Sequence, residues 1–340
     1  EDIEFLTKLM LTYQGEELEE FTFEHGGSGC VIRNRKEWDS IPVGKAVNEM
    51  PLLNIQKTSD RPGLKGKALG GPKGPLQGLK VLDLTHIIAG PACTRLLGEY
   101  GADVLLVRRK EFGVQEQAAL ELDGWAGKHA IDLDLDRAAD LERAKELIKE
   151  ADVLVYSYQN NAFDKFGLSR QEMLELNPNL IHASLMCFSE TVWHNRPGWA
   201  PLAEDITGLS IRNGSQEHPK NLNGVPLDYI PGLILALGTL EVIKRSMEDG
   251  GTYTVVTSLT RGAAWLHECT DLCENNPYKI YSTDWEDRSP DFEEWASVTH
   301  RVLGNATGDV SFPAPATAGK ELPNVLRNMQ FTDGEEDWQE

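Results

Sequence analysis

Positive charge is scarce in this chain. Of its 340 residues only 33 are Lys or Arg against 54 Asp or Glu, for a net charge of −21. Such a field repels nucleic acid and anionic membrane surfaces, so neither is an expected partner. Long apolar runs are also missing. A membrane-spanning helix needs roughly 20 apolar residues in succession. The longest stretch, Ile230 to Ile243, is shorter and is interrupted by Pro231, Gly232, Gly238 and Thr239. No charged-then-apolar signal segment opens the chain. It begins on Glu1 rather than Met, which suggests a trimmed or processed chain.

Paired cysteines are lacking as well. Cys30, Cys93, Cys187, Cys269 and Cys273 contain no CxxC, and their odd number points to free thiols in a reducing compartment, the cytoplasm or an organelle matrix. His267, Cys269 and Cys273 lie close together, but no fourth ligand follows at zinc-site spacing, so no metal is expected. Three glycine signatures are absent: GxGxxG at a helix start, GxxxxGK[ST], and the GxSxG nucleophile elbow. Their absence argues against NAD, ATP and serine-hydrolase chemistry, and leaves HGGSG (25–29) as a flexible turn.

What remains is an ordinary globular balance, 40% hydrophobic and 26% charged. Residues 1–50 read as helix, loop and a second, ambiguous helix, because Pro42 and Gly44 interrupt Lys36–Val47. Residues 51–77 carry nine Pro or Gly punctuators from Pro51 to Pro75 and read as a connector without regular structure. Residues 78–275 alternate strand and helix. The expected strands are Lys80–Leu84, Asp103–Val107, Val153–Tyr156, Leu180–Leu185 and Thr252–Thr257. The expected helices are Ala92–Tyr100, Leu141–Glu150, Arg170–Leu176, Pro231–Met247 and one from about Thr260. This order implies an α/β fold with a mostly parallel sheet covered on both faces. Residues 276–340 turn polar and acidic and read as an extended tail.

Three places could carry chemistry. THIIAGPACTR follows the first predicted strand of this domain and turns into a helix at Gly90-Pro91, so its helix N-terminus suits an anion, though an ordinary strand-to-helix turn reads the same way. Arg108, Arg109 and Lys110 end the next strand. Arg109 could fork onto a phosphate, or the trio could be a solvated basic turn beside Glu111. Asp228 stands just ahead of the long apolar helix, either as a cap or as a reactive carboxylate.

Taken in order, four segments resemble the class III CoA-transferases, the CaiB/BaiF group that includes formyl-CoA and carnitine CoA-transferases. They are GPLQGLKVLDLTHIIAGPACTRLLGEYGADVLLVRR, HAIDLDL, ADVLVYSYQNNAFDKFGLSRQEMLELNPNLIHASL and GVPLDYIPGLILALGTLEVI, spread over about residues 74–270. The resemblance implies a Rossmann-like parallel sheet flanked by helices, as in that family's large domain, with residues 1–50 as a helical small-domain and return segment. It implies acyl-CoA and a carboxylic acid as substrates, with Asp228 forming first an anhydride and then an aspartyl-CoA thioester. Contacts to CoA are implied for His86, Ile87, Ile88, Ala89 and Arg109, and for Leu133, Ser157, Tyr158 and Lys165 along the groove. A homodimer, often interlocked, or a second chain or half is implied as partner. In so acidic a chain, CoA needs local cations to hold it.

Two positions depart from the pattern. Trp199 stands at or near the place where racemases of the family keep a His, and Ala200 where several transferases keep a Glu, with Glu204 and Asp205 close by but shifted. Both Trp199 and Ala200 are expected at the substrate pocket. The layout resembles the later part of a longer, two-part relative. These departures keep two alternatives beside CoA transfer: a lyase, isomerase or cyclase acting on a CoA ester or another acid, and a non-catalytic partner subunit.

Overall fold

Short β-branched and aliphatic runs between amphipathic helices assemble into one sheet of seven strands. The structure, a computed structural model, describes residues 3–109, 123–274, 299–302, 310–313 and 338. The strands are β1 (Asn54–Ser59), β2 (Lys80–Leu84), β3 (Asp103–Arg108), β4 (His129–Asp132), β5 (Val153–Tyr156), β6 (Ile181–Met186) and β7 (Thr252–Ser258). They lie in the order β1-β7-β6-β5-β2-β3-β4. From β7 to β4 every neighbouring pair is parallel, while β1 runs antiparallel along β7. The strand order therefore reverses between β2 and β5, and in an open parallel sheet that point opens a crevice at the carboxyl ends of the strands.

Alternation along the strands sends neighbouring side chains to opposite faces. Val81 and Val104 pack on one face with α3 (Arg35–Ser40), α4 (Pro42–Glu49), α5 (Ala89–Glu99), α8 (Ala200–Thr207), α10 (Pro226–Asp249) and α11 (Leu259–Glu274). Leu82, Leu84 and Leu154 pack on the other with α6 (Ala138–Glu150) and α7 (Arg170–Leu176). Two N-terminal helices precede these, the exposed α1 (Ile3–Met10) and α2 (Gly15–Glu24), which buries Glu19 against Arg33, and the short α9 (Leu209–Asn213) follows α8. A two-stranded pair, β8 (Thr299–Val302) and β9 (Val310–Pro313), and the buried Trp338 are what is described of the segment read as a tail.

Helix α10 has the length and composition to cross a bilayer, yet it packs on α5 and lies across β6 and β7, with Leu235, Ala236 and Val242 fully buried. Gly238 makes that close seating possible, because a Cβ there would meet Val255 Cγ1 at 2.8 Å. It is a core helix.

The structure adds β4, α8 and α9, where the sequence pattern predicts no element, and differs from the sequence reading in three further places. Residues 51–77 do hold regular structure: β1 falls inside the stretch read as a connector, because the Pro and Gly residues cluster around it rather than in it. The ambiguous Lys36–Val47 stretch is two helices, with Pro42 at the start of the second, where its missing N–H costs nothing. Trp38, Val43 and Val47 from these helices join the main core. Finally, α10 begins five residues earlier than Pro231, so Asp228 lies inside its first turn and not ahead of it.

Candidate functional site

The crevice is built from the loops that leave β2 and β5. Leu84 pairs with Tyr156, and one residue beyond the pairing the two chains part. There the backbone N–H of His86 donates to Ser157 Oγ at 3.1 Å, and the His86 ring stacks on Tyr158 with centroids 6.1 Å apart. Ile87 follows at φ +70°, a left-handed conformation costly for a β-branched residue. Ile88 and Ala89 are buried and lead into α5. Gly90 is required by the packing, since a Cβ would meet Thr85 Cβ at 2.5 Å and Ser157 Cβ at 2.9 Å.

Beside this crevice lies a cavity of about 240 Å³ on the α6 face. Leu82, Leu84, Leu133, Tyr158 and Phe163 give it apolar walls, while Arg109 and Lys165 stand at its polar rim. Arg109 lies 3.8 Å and Lys165 3.6 Å from the Asp136 carboxylate, which sits between the two cations. Lys165 also lies over the Phe166 ring, 4.4 Å from its centroid. Arg108 instead turns to Asp132 at 3.0 Å, and Lys110, the last of the basic trio, falls outside the described residues. Apolar walls with Arg109 and Lys165 beside Asp134 and Asp136 at the rim can take a flat ring and offer two cations to a phosphate.

Asp228 occupies the third position of α10, after Val225 as N-cap. It is 9% exposed, and its carboxylate accepts no hydrogen bond from any described residue. A capping carboxylate would accept a backbone N–H, so the capping reading fails. Burial, and after it the charge of Glu204, pushes the Asp228 carboxyl up to about 6. One turn along α10, Gly232 rests on the Ala89 carbonyl, where a Cβ would stand only 2.3 Å away. That crossing brings the start of α10 to the start of α5, next to the crevice.

Trp199 is the half-exposed N-cap of α8, and Ala200 is fully buried at the first position of that helix. Ala200 therefore offers no polar group to a substrate. Glu204 stands one turn later on the same face, 2% exposed, and accepts the Leu222 N–H at 2.7 Å. Burial raises its pKa first and foremost. Along the sequence Glu204 stands only shifted from the Ala200 position, yet its i, i+4 spacing places it on the same helix face. The Cys187 thiol is buried near Asp228, and desolvation drives its pKa well above the ordinary thiol value, which leaves it inert as a nucleophile.

A family profile described as CoA-transferase family III matches residues 76–279. Among curated proteins, an acyl-CoA transferase of Gibberella moniliformis is 28% identical over 313 residues, covering 87% of this chain and 53% of that protein. The formyl-CoA:oxalate CoA-transferase of Escherichia coli O81 is 30% identical over 197 residues, covering 54% of this chain and 47% of that protein. The chain thus spans about half the length of the curated relatives it matches. Among solved structures, a CAIB/BAIF family protein from Brucella suis superposes with a TM-score of 0.53 at 23% identity, covering 69% of this chain and 65% of that one. A hypothetical protein from Mycobacterium tuberculosis gives a TM-score of 0.53 at 24% identity, over 61% and 60% of the two chains. At these identities the two structures speak for the fold.

Proposed function

The chain belongs to CoA-transferase family III, and from that premise we propose that it moves coenzyme A from an acyl-CoA thioester to a carboxylic acid, with Asp228 as the nucleophile. One observation carries the reading: a largely buried carboxylate to which no described residue donates a hydrogen bond lies in the first turn of α10, where that helix crosses α5 at the crevice. A carboxylate held largely out of water, with its pKa raised by burial and a neighbouring acid, is a mark of a functional group.

The Asp228 carboxylate attacks the thioester carbonyl, the C–S bond breaks, and CoA leaves as thiolate with an acyl-aspartyl anhydride left behind. The thiolate then attacks the aspartyl carbonyl and expels the first carboxylate, which gives an aspartyl-CoA thioester. An incoming carboxylate attacks that thioester, and a second return of the thiolate to the new acyl group frees the product and restores Asp228. Each step trades one activated acyl group for another, so no barrier needs a poor leaving group. A carboxyl titrating at about 6 suits the task, since it is ionised at neutral pH yet more basic than an exposed aspartate.

The ring-and-phosphate end of CoA fits the cavity walled by Leu133 and Tyr158 and rimmed by Arg109 and Lys165. The loop His86–Ala89 with Ser157 then directs the remainder toward Asp228. Ala200 supports a second reading, a lyase or isomerase that needs no acceptor acid, because the side chain there has no polar group. Incubation with an acyl-CoA and a panel of acids, with hydroxylamine trapping and mass spectrometry of the Asp228 peptide, tests the proposal. Exchange that depends on an acceptor, with a hydroxamate at Asp228, is the expected result. Full exchange by Asp228→Asn would sink the mechanism, and product formed without any acceptor would favour the second reading.

A further inference from the structure

We propose that Lys128 is a positioning residue that, through Asp83, fixes both ends of the Thr85–Pro91 segment in the shape that receives CoA; the CoA part of this rests on the function proposed above. Lys128 stands just before β4, at the far edge of the sheet, yet its side chain reaches back under α5 and is 3% exposed. Its ammonium has three donors, and all three are used: on Asp83 Oδ2 at 2.8 Å, on Thr94 Oγ1 at 2.6 Å and on the Pro91 carbonyl at 3.1 Å.

Asp83 completes the knot. Its Oδ1 accepts the Thr85 hydroxyl at 2.5 Å, and its Oδ2 accepts the Thr94 hydroxyl at 2.6 Å as well as the ammonium. Thr85 is the first residue after β2, and Pro91 and Thr94 lie in the first turns of α5. The five residues between Thr85 and Pro91 include Ile87, whose left-handed backbone needs its surroundings to hold it. Burying an ion pair adds little stability, and an apolar replacement of the same volume is often as stable. What the pair supplies is direction: three N–H bonds at fixed angles select one placement of the Pro91 carbonyl relative to β2. Neither residue faces the crevice, so the effect on the reaction is indirect.

The test compares the intact protein with Lys128→Met and with Asp83→Asn/Lys128→Met. The double variant leaves no buried charge behind and keeps an acceptor for Thr94. Thermal unfolding, amide hydrogen exchange across residues 85–92, and kcat and KM for an acyl-CoA are measured on each. In the double variant we expect unfolding within a few degrees of the unaltered protein, faster exchange in that segment, and a KM raised about tenfold with kcat nearly unchanged. Unchanged exchange and unchanged KM in a folded double variant overturn the proposal. If the unaltered protein handles no acyl-CoA at all, the CoA reading falls, and the exchange rates alone still decide whether Lys128 holds the segment.

Discussion

The His86 N–H donates to Ser157 Oγ at 3.1 Å, joining the loop after β2 to the loop after β5 where the sheet reverses its order. Both residues lie just beyond the strands they leave, and the Ser157 N–H in turn donates to the Leu84 carbonyl. Ser157→Ala removes the acceptor, and a bond of this kind contributes about 1 kcal/mol. A several-fold rise in KM for acyl-CoA with little change in kcat is the expected result, read from steady-state kinetics.

Asp228 predicts a trade between activity and stability. Its carboxyl is raised from 3.8 to about 6 in the folded chain, so between those values the folded state binds a proton that the unfolded state has lost. Stability from this group is therefore full below about pH 4 and falls away as pH rises through 6, by roughly 3 kcal/mol at most. Asp228→Asn is expected to abolish exchange and to be more stable than the unaltered chain at pH 8, with the gap closing toward pH 4. Denaturant titrations at the two pH values check it.

Activity itself should depend on pH through the same group. The nucleophile must be ionised, so kcat/KM rises with pH and levels off above about 6. Glu204→Gln removes the neighbouring charge but keeps an acceptor for the Leu222 N–H. The midpoint of the acid limb then moves to lower pH. A midpoint that stays in place would show that Glu204 does not act on the reacting carboxylate.

Arg109→Ala should raise KM for acyl-CoA tenfold or more, and most strongly at low salt, while leaving the pH profile alone. Arg109→Lys should recover part of the loss, because a point charge replaces a fork. Dephosphorylated CoA esters would show a smaller penalty if Arg109 meets a phosphate.

Gly90→Ala forces a methyl group onto Thr85 and Ser157. Overpacking of this kind costs about 1–3 kcal/mol. A lowered midpoint of thermal unfolding together with weakened CoA binding, followed by calorimetry, is expected.

Much of this was legible before any coordinates. Val153–Tyr156 and Arg170–Leu176 form over the same residues that their periodicity predicts, and the other expected strands agree to within a residue, whereas the short edge strand β4 was not among them. Local pattern settles these elements because each buries an apolar face along its whole length. The start of α10 was not legible, since Pro231 alone reads as the helix start, whereas the helix begins at Pro226 and packs on α5. Strand β1 was hidden for a related reason. Asn54–Ser59 is polar and half-exposed, and it becomes a strand only by pairing with a segment far along the chain. At the site, the recognisable segments marked Asp228 and the cavity residues. The partnership of Glu204 with Asp228 needed two helices brought together, which no spacing along one chain records.

The edge strand carries a consequence for how the chain folds. β1 is laid down first but is placed last, because its partner β7 lies about 200 residues further on, and the Thr257 hydroxyl reaches back to the Leu52 carbonyl across a separation of 205. Closing so long a loop is entropically slow, so the six parallel strands can zip together in order as synthesis proceeds while β1 waits. Until it docks, β7 presents an open row of backbone donors and acceptors, the kind of edge at which another chain can add. The hazard of misassembly therefore peaks late, in the interval between completion of β7 and capture of β1.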